Sequence, residues 1–273
     1  MTAQRRRAVG FIPVSVLLLV LLPLIIMPLA AIFVFAGKGG VSGFLAAVST
    51  PDAQFAIRLS LLVAFATTAL NAVIGTYTAY VLSKYRFQGR GTLNVVVNLP
   101  VAIPTVVVGT SLLLLWGPIG LLGQAIEPFG VQPMFTFFGI LLAHLFVSLP
   151  YMLGAVKPVL DELESTYEEA AYTMGANRWQ VFQHVLFPAL RGGLLTGAIL
   201  TFAHSIGEFG ATVLVSGNLR LRTQTAPLYI FSQFEAGNVE AASAVAAVLA
   251  ALSFVVFFLL LHFTRRTREE AAA

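Results

Sequence analysis

Ser165-Thr166-Tyr167-Glu168-Glu169-Ala170-Ala171-Tyr172-Thr173-Met174-Gly175-Ala176-Asn177-Arg178-Trp179, continued to Val185-Leu186-Phe187-Pro188, is a polar interruption between two long apolar runs. Ser165 and Glu168 have capping-box spacing, in which the serine hydroxyl accepts from an early backbone N–H and the glutamate reaches back. A helix is expected to start there and to carry Tyr167, Ala170, Ala171 and Met174 along one side. It should stop at Gly175, the residue type best suited to a left-handed C-cap. Asn177, with Gln180 three residues later, opens a second helix through Trp179, Phe182 and Val185. Pro188 then opens the next apolar run. Two short helices joined by a glycine make a compact knob, with Ala170 and Ala171 small enough to let another backbone approach.

What surrounds the knob sets the fold class. Of 273 residues, 58% are hydrophobic and 10% charged, and the mean hydropathy is +0.88, more apolar than one soluble core can hide. Crossing ~30 Å of hydrocarbon takes ~20 apolar helical residues, because no water there satisfies an irregular backbone. Segments 11–35, 55–82, 93–116, 135–156, 192–216 and 241–263 meet that requirement. The expectation is an all-α, polytopic membrane protein with six spans, one domain over residues 1–273, and the knob inside a loop at 157–191. A cleaved secretory signal is the alternative for the first segment, which follows Arg5, Arg6 and Arg7. Its apolar stretch exceeds the usual h-region of about 7–15 residues, favouring an uncleaved helix. With the N-terminus inside, Lys84, Arg86, Arg90, Lys157, Arg178, Arg191, Arg265, Arg266 and Arg268 join those arginines on the cytosolic face. Lys38, Arg58, Arg220 and Arg222 fall outside. That asymmetry fits the positive-inside rule and puts both termini and the knob in the cytoplasm.

Several function classes drop out. The formal charge is +4, yet the basic residues sit at the ends of apolar runs rather than in a stripe with aromatics, so no nucleic-acid partner is expected. Zero cysteines and four scattered histidines offer no disulfide, thiol chemistry or metal set. No G-x-x-x-x-G-K-[ST] loop occurs, so any nucleotide is handled by a partner. No catalytic residue and no cofactor are assigned to the chain itself.

Two apolar runs carry candidate path residues. Asn98-Leu99-Pro100-Val101-Ala102-Ile103-Pro104-Thr105 contains two prolines, each removing an i to i−4 bond. Broken backbone at membrane depth persists where it is buried or lines a polar cavity; a kink that only shapes packing is the alternative. Thr105, Thr110 and Ser111 add hydroxyls that could meet an oxyanion. In the fifth run, His204 and Glu208 are four residues apart, share a helix face and could pair. An intramembrane carboxylate is costly and marks function; it would repel an anion, which favours a gate or brace over a binding ligand. A structural pair with neighbouring helices is the other reading. The path or gate set is therefore Pro100, Pro104, Thr105, Thr110, His204 and Glu208. His144 and His262 lie singly in apolar runs and read as packed or interfacial. Arg58 reads as a snorkelling anchor that could also attract an anion.

The pattern E-A-A, three residues, G, nine residues, I-x-L-P is kept at Glu169, Gly175 and 185–188, with Val185 and Phe187 in place of Ile and Leu. It resembles the EAA loop of importer-type ABC permeases, and the resemblance covers nearly the whole chain after the first helix. Residues 99–122 and Phe146-Val147-Ser148-Leu149-Pro150 are similar to molybdate/tungstate and sulfate/thiosulfate permeases. Gly207 to Thr212, Ser216-Gly217-Asn218 and Thr223 to Leu228 lean to the molybdate branch, while 234–242 is also like sulfate permeases. The resemblance implies a type I importer permease fold in a prokaryotic inner (plasma) membrane and a homodimer of permeases. It also implies two ABC ATPase subunits using ATP and Mg, and an extracytoplasmic substrate-binding protein. The loop is then the part that inserts into an ATPase cleft, through Glu169, Ala170, Ala171 and Gly175, with Arg178, Trp179 and Phe182 as further contacts and Pro188 closing the motif. Molybdate or tungstate is the expected cargo, sulfate or thiosulfate the alternative. A stand-alone channel or ion-coupled transporter, with His204 and Glu208 as a proton relay, is a rival. A knob lying on the bilayer is disfavoured by the acidic cluster Asp161, Glu162, Glu164, Glu168 and Glu169.

Overall fold

The computed structural model describes residues 13–163 and 165–272, with side chains as far as residue 259. Arg5 to Arg7, Glu164 and the side chains of His262, Arg265, Arg266 and Arg268 lie outside what is described. Regular structure among the described residues is helical. The order is α1 (Pro13–Ala36), α2 (Gly40–Val48), α3 (Pro51–Lys84), α4 (Arg90–Ala102), α5 (Thr105–Trp116) and α6 (Leu121–Ile126). Then come α7 (Phe137–Glu162), α8 (Ser165–Thr173), α9 (Arg178–Ile206), α10 (Gly210–Ser216), α11 (Ala226–Glu235) and α12 (Val239–Ala272). Among the described residues, six helical stretches are long and apolar enough to cross a membrane.

Two of the expected spans are not single helices. Segment 93–116 breaks at Ile103-Pro104, where the proline ring forces the residue before it out of helical space: Ile103 has φ −96°, ψ 133°. At 13 and 12 residues, α4 and α5 each reach about 20 Å at 1.5 Å per residue, so only together do they cross. Thr105–Phe129 has the length and hydropathy of a span, but turn residues 117–120 split it, and the crossing is assigned to α4 plus α5. Segment 192–216 is interrupted as well, because α9 stops at Ile206 and α10 starts at Gly210. Its beginning also differs from expectation. Pro188 does not open the helix; a π-helical turn at Phe182–Leu186 precedes it and absorbs the hydrogen bond that proline cannot make. The knob's second helix therefore runs without a break from Arg178 into the membrane.

Lipid tails are as apolar as Leu, so the helices associate by close packing and interhelical hydrogen bonds rather than by escape from water. Helices α3, α7 and α9 pack against one another around Leu82, Met152, Leu153, Val156, Leu160 and Leu190. Helix α10 lies against α5 and α7, and α12 against α9, α11 and α1. Helix α1 is apolar and largely exposed, with Leu19 and Leu24 as examples, while Ala36 at its end is buried, and it reaches the rest mainly through α12.

Candidate functional site

The knob at residues 165–188 is built by its caps. Helix α8 closes in a Schellman arrangement: Ala176 N–H donates to Ala171 C=O (3.1 Å) and Gly175 N–H to Tyr172 C=O (3.0 Å), with Gly175 at φ +87°. Asn177 and Gln180 form a reciprocal capping box. Gln180 N–H donates to Asn177 Oδ1 at 2.9 Å and Asn177 N–H to Gln180 Oε1 at 2.8 Å. The acid three residues after Ser165 has a different partner, for Glu168 meets the ammonium of Lys84 at 2.8 Å. Glu169, Ala170, Met174, Gly175, Arg178 and Trp179 are exposed, and Trp179 stacks on Phe182 with centroids 5.5 Å apart. Ala171 differs from its neighbour. Successive helical residues point about 100° apart, and Ala171 turns inward and is buried. It anchors α8 to its own chain instead of offering a surface to a partner. Arg178 and Phe182 also border a cavity of about 670 Å³ together with Tyr77, Tyr80, Tyr85 and Tyr172.

At the other end of α9 the two broken spans meet. A Cβ on Gly210 would lie 2.1 Å from Thr105 Oγ1, and one on Gly109 would lie 2.7 Å from Ala211 O. Only glycine lets the two backbones cross this closely. Thr105 therefore packs at a helix crossing. Pro104 forms the N-terminal boundary of α5, and Pro100 is buried one turn earlier in α4. Thr110 and Ser111 are exposed, but their hydroxyls donate to Val106 O and Val107 O of their own helix, both at 2.9 Å. In this conformation both hydroxyl protons are engaged within their own helix.

Glu208 is buried. One carboxylate oxygen accepts from Ala211 N–H at 2.8 Å, capping α10, and the other lies 3.5 Å from His204 Nε2. The proximity expected from i, i+4 spacing is present, without a hydrogen bond to His204 Nε2, and α9 ends between the two residues. The carboxylate braces the interruption between α9 and α10 and is not displayed on a helix face. His204 is partly exposed and lies against the ring of Tyr151, centroids 4.5 Å apart.

His144 was legible only as a packed histidine, and its role is specific. Its Nδ1 lies 2.7 Å from Ser205 Oγ at the end of α9, and its Nε2 lies 2.9 Å from Thr212 Oγ1 in α10. One imidazole on α7 thus clamps both sides of the 207–209 break. Ser148 donates to His144 O at 2.5 Å, and Asn71 Nδ2 of α3 donates to Ser148 Oγ at 2.8 Å. All five polar residues are almost fully buried, where such groups need partners. Sequence carried one signal for this cluster: His144 and Ser148 are i, i+4 neighbours on one face of an apolar helix. In the turn after α10, Arg220 pairs with Asp52, which raises its pKa through that hydrogen bond and charge. Arg58 is exposed.

A family described as the binding-protein-dependent transport system inner membrane component matches residues 71–269. The chain is 35% identical over 257 residues to the sulfate transport system permease protein CysT of Escherichia coli (strain K12), covering 94% of this chain and 93% of that one. It is 36% identical over 264 residues to the sulfate transport system permease protein CysW of Synechocystis sp. (strain ATCC 27184 / PCC 6803 / Kazusa), covering 97% and 96%. Among solved structures, it is similar to a bacterial alginate ABC transporter in complex with alginate pentasaccharide-bound periplasmic protein. The TM-score is 0.74 and the identity 17%, with 96% of each chain covered; that likeness speaks to the fold.

Proposed function

We propose that this chain, which belongs to the binding-protein-dependent transport system inner membrane component family, carries a tetrahedral oxyanion across the membrane, with sulfate or thiosulfate as the cargo. It is a permease subunit of an ABC importer. The sequence alone leaned to molybdate or tungstate, but the relatives that match nearly end to end are named as sulfate permeases. All of these cargoes are tetrahedral dianions, so the permeation path tolerates each of them, and an extracytoplasmic binding protein makes the selection.

The observation that carries the mechanism is the unbroken course of α9. From Arg178 in the knob to Ile206 at the break, 29 residues make a rod of about 43 Å. Two ATPase subunits use ATP and Mg, and one of them docks on the knob of this chain through Glu169, Ala170, Met174, Gly175, Arg178, Trp179 and Phe182. Closing of those subunits displaces the rod along its length. Its far end is the joint at 207–209, held by His144 and Glu208 and crossed by α5 at the second break, so displacement there opens or closes the path. The knob is cytosolic in this reading, and with six crossings both termini are as well. A second permease of this family, a paralogue or a second copy, completes the path; CysT and CysW relatives match this chain equally well.

The test is uptake into vesicles holding the permease with its ATPase and binding protein, using labelled sulfate in competition with thiosulfate, molybdate and tungstate. Sulfate uptake that needs ATP and is suppressed best by thiosulfate is the expected result. Stronger suppression by molybdate returns the cargo to the molybdate branch, and uptake without ATP overturns the importer reading.

A further inference from the structure

We infer that Lys84 and Glu168 form a strut that makes the docking helix α8 and the membrane helix α3 move as one body, and that both are positioning residues for coupling. This rests on the reading that the knob docks an ATPase. Lys84 is the last residue of α3. Its Nζ lies 2.8 Å from Glu168 Oε1, and it donates to Leu163 O, the C-cap of α7, at 3.1 Å. One ammonium therefore ties three elements at a single node. The contact with Glu168 is an ion pair by charge and distance, and the aligned hydrogen bond goes to Leu163. Next to the node, Ser83 donates to Asp161 at 2.6 Å, and Asp161 pairs with Lys157 at 2.5 Å, so the ends of α3 and α7 are already joined.

The need for a strut follows from how little else holds α8. Its one buried residue is Ala171. At its C-terminal end it is followed by Gly175 in left-handed backbone, where the chain turns toward α9. Among the described residues, Lys84–Glu168 is the one side-chain polar link between α8 and a membrane-spanning helix. The two side chains are only 17% and 12% exposed, and a pair so little screened by water is stronger than one on an open surface. Helix α3 then carries the motion inward. It is one helix of 34 residues, packed along both α7 and α9, with Asn71 in the polar cluster that clamps the break. A push on α8 enters the membrane by two routes, through α9 by the chain itself and through α3 by the strut. The two routes keep the knob from rotating without moving the path.

The experiment uses the complete complex of permease, ATPase and binding protein, with Lys84→Glu, Glu168→Lys and the double exchange. Three quantities are read: ATPase retained on the purified permease, ATP hydrolysed, and labelled sulfate moved per ATP. The expected result is full retention in all three variants, a fall of ten-fold or more in anion moved per ATP in each single variant, and recovery to within two-fold in the exchange. A residue that only stabilised the fold would lower assembled complex and leave that ratio unchanged, which would overturn the inference, as would single variants that couple normally. Lys84→Met serves if charge reversal prevents insertion, with the same ratio as readout. Loss of the ATPase from unaltered permease would instead sink the docking reading itself.

Discussion

His144→Ala removes the imidazole that spans the 207–209 break, and the cost can be worked from the structure. Two hydrogen bonds are lost, at 2.7 Å and 2.9 Å. Interhelical hydrogen bonds in membranes average about 0.6 kcal/mol and reach about 1.7, so the pair contributes about 1 to 3.5 kcal/mol. The polar share lies toward the lower end, because Thr212 keeps a 3.4 Å contact to Glu208 O and Ser205 can turn to a carbonyl of its own helix. Replacing a ring by a methyl also leaves a void, and core truncations of that size cost about 2 kcal/mol or more. The sum is about 3 to 4 kcal/mol of stability. Denaturation of purified permease in mixed micelles with rising SDS measures it, in a cycle with Thr212→Val. Coupling of about 0.5 to 1.5 kcal/mol between the two sites is expected. Leucine at 144 refills the volume without the bonds, so it should recover part of the stability and little of the sulfate uptake. Additivity of His144→Ala and Thr212→Val within about 0.3 kcal/mol, or full uptake with leucine, would refute the clamp.

Three further outcomes test the rest. Gly109→Ala places a methyl 2.7 Å from the backbone oxygen of Ala211, so α5 and α10 must separate; a loss of about 1–3 kcal/mol in the same denaturation assay is expected. Trp179→Ala should weaken ATPase association by about 30-fold, the scale of an exposed aromatic anchor worth about 2 kcal/mol, measured by binding of the isolated ATPase to immobilised permease. Glu208→Gln retains an acceptor for Ala211 N–H and should insert and bind the ATPase normally. Glu208→Ala strips the cap from α10 at about 1 kcal/mol and should reduce uptake further than the amide, read as initial rates in vesicles.

Much of this protein was fixed one-dimensionally. Six membrane-length runs follow from hydropathy over about 20 residues, a property of composition that packing cannot alter. The knob was legible because caps are local: Gly175, Asn177 and Gln180 do in three dimensions what their spacing dictates. The same locality explains the partial reading of the path, where Pro104 announced a break but could not say what lay across it. Tertiary structure alone decided that Glu208 caps a chain break, that Ala171 faces inward, that Pro188 sits inside a longer helix, and that Gly109 and Gly210 let the two breaks cross. It also decided that His144, Ser205 and Thr212, up to 68 residues apart, form one clamp, and that Lys84 meets Glu168. Each of these depends on which helix lies beside which, and in lipid that choice is made by close packing and buried hydrogen bonds between distant segments, which no periodicity within one segment encodes.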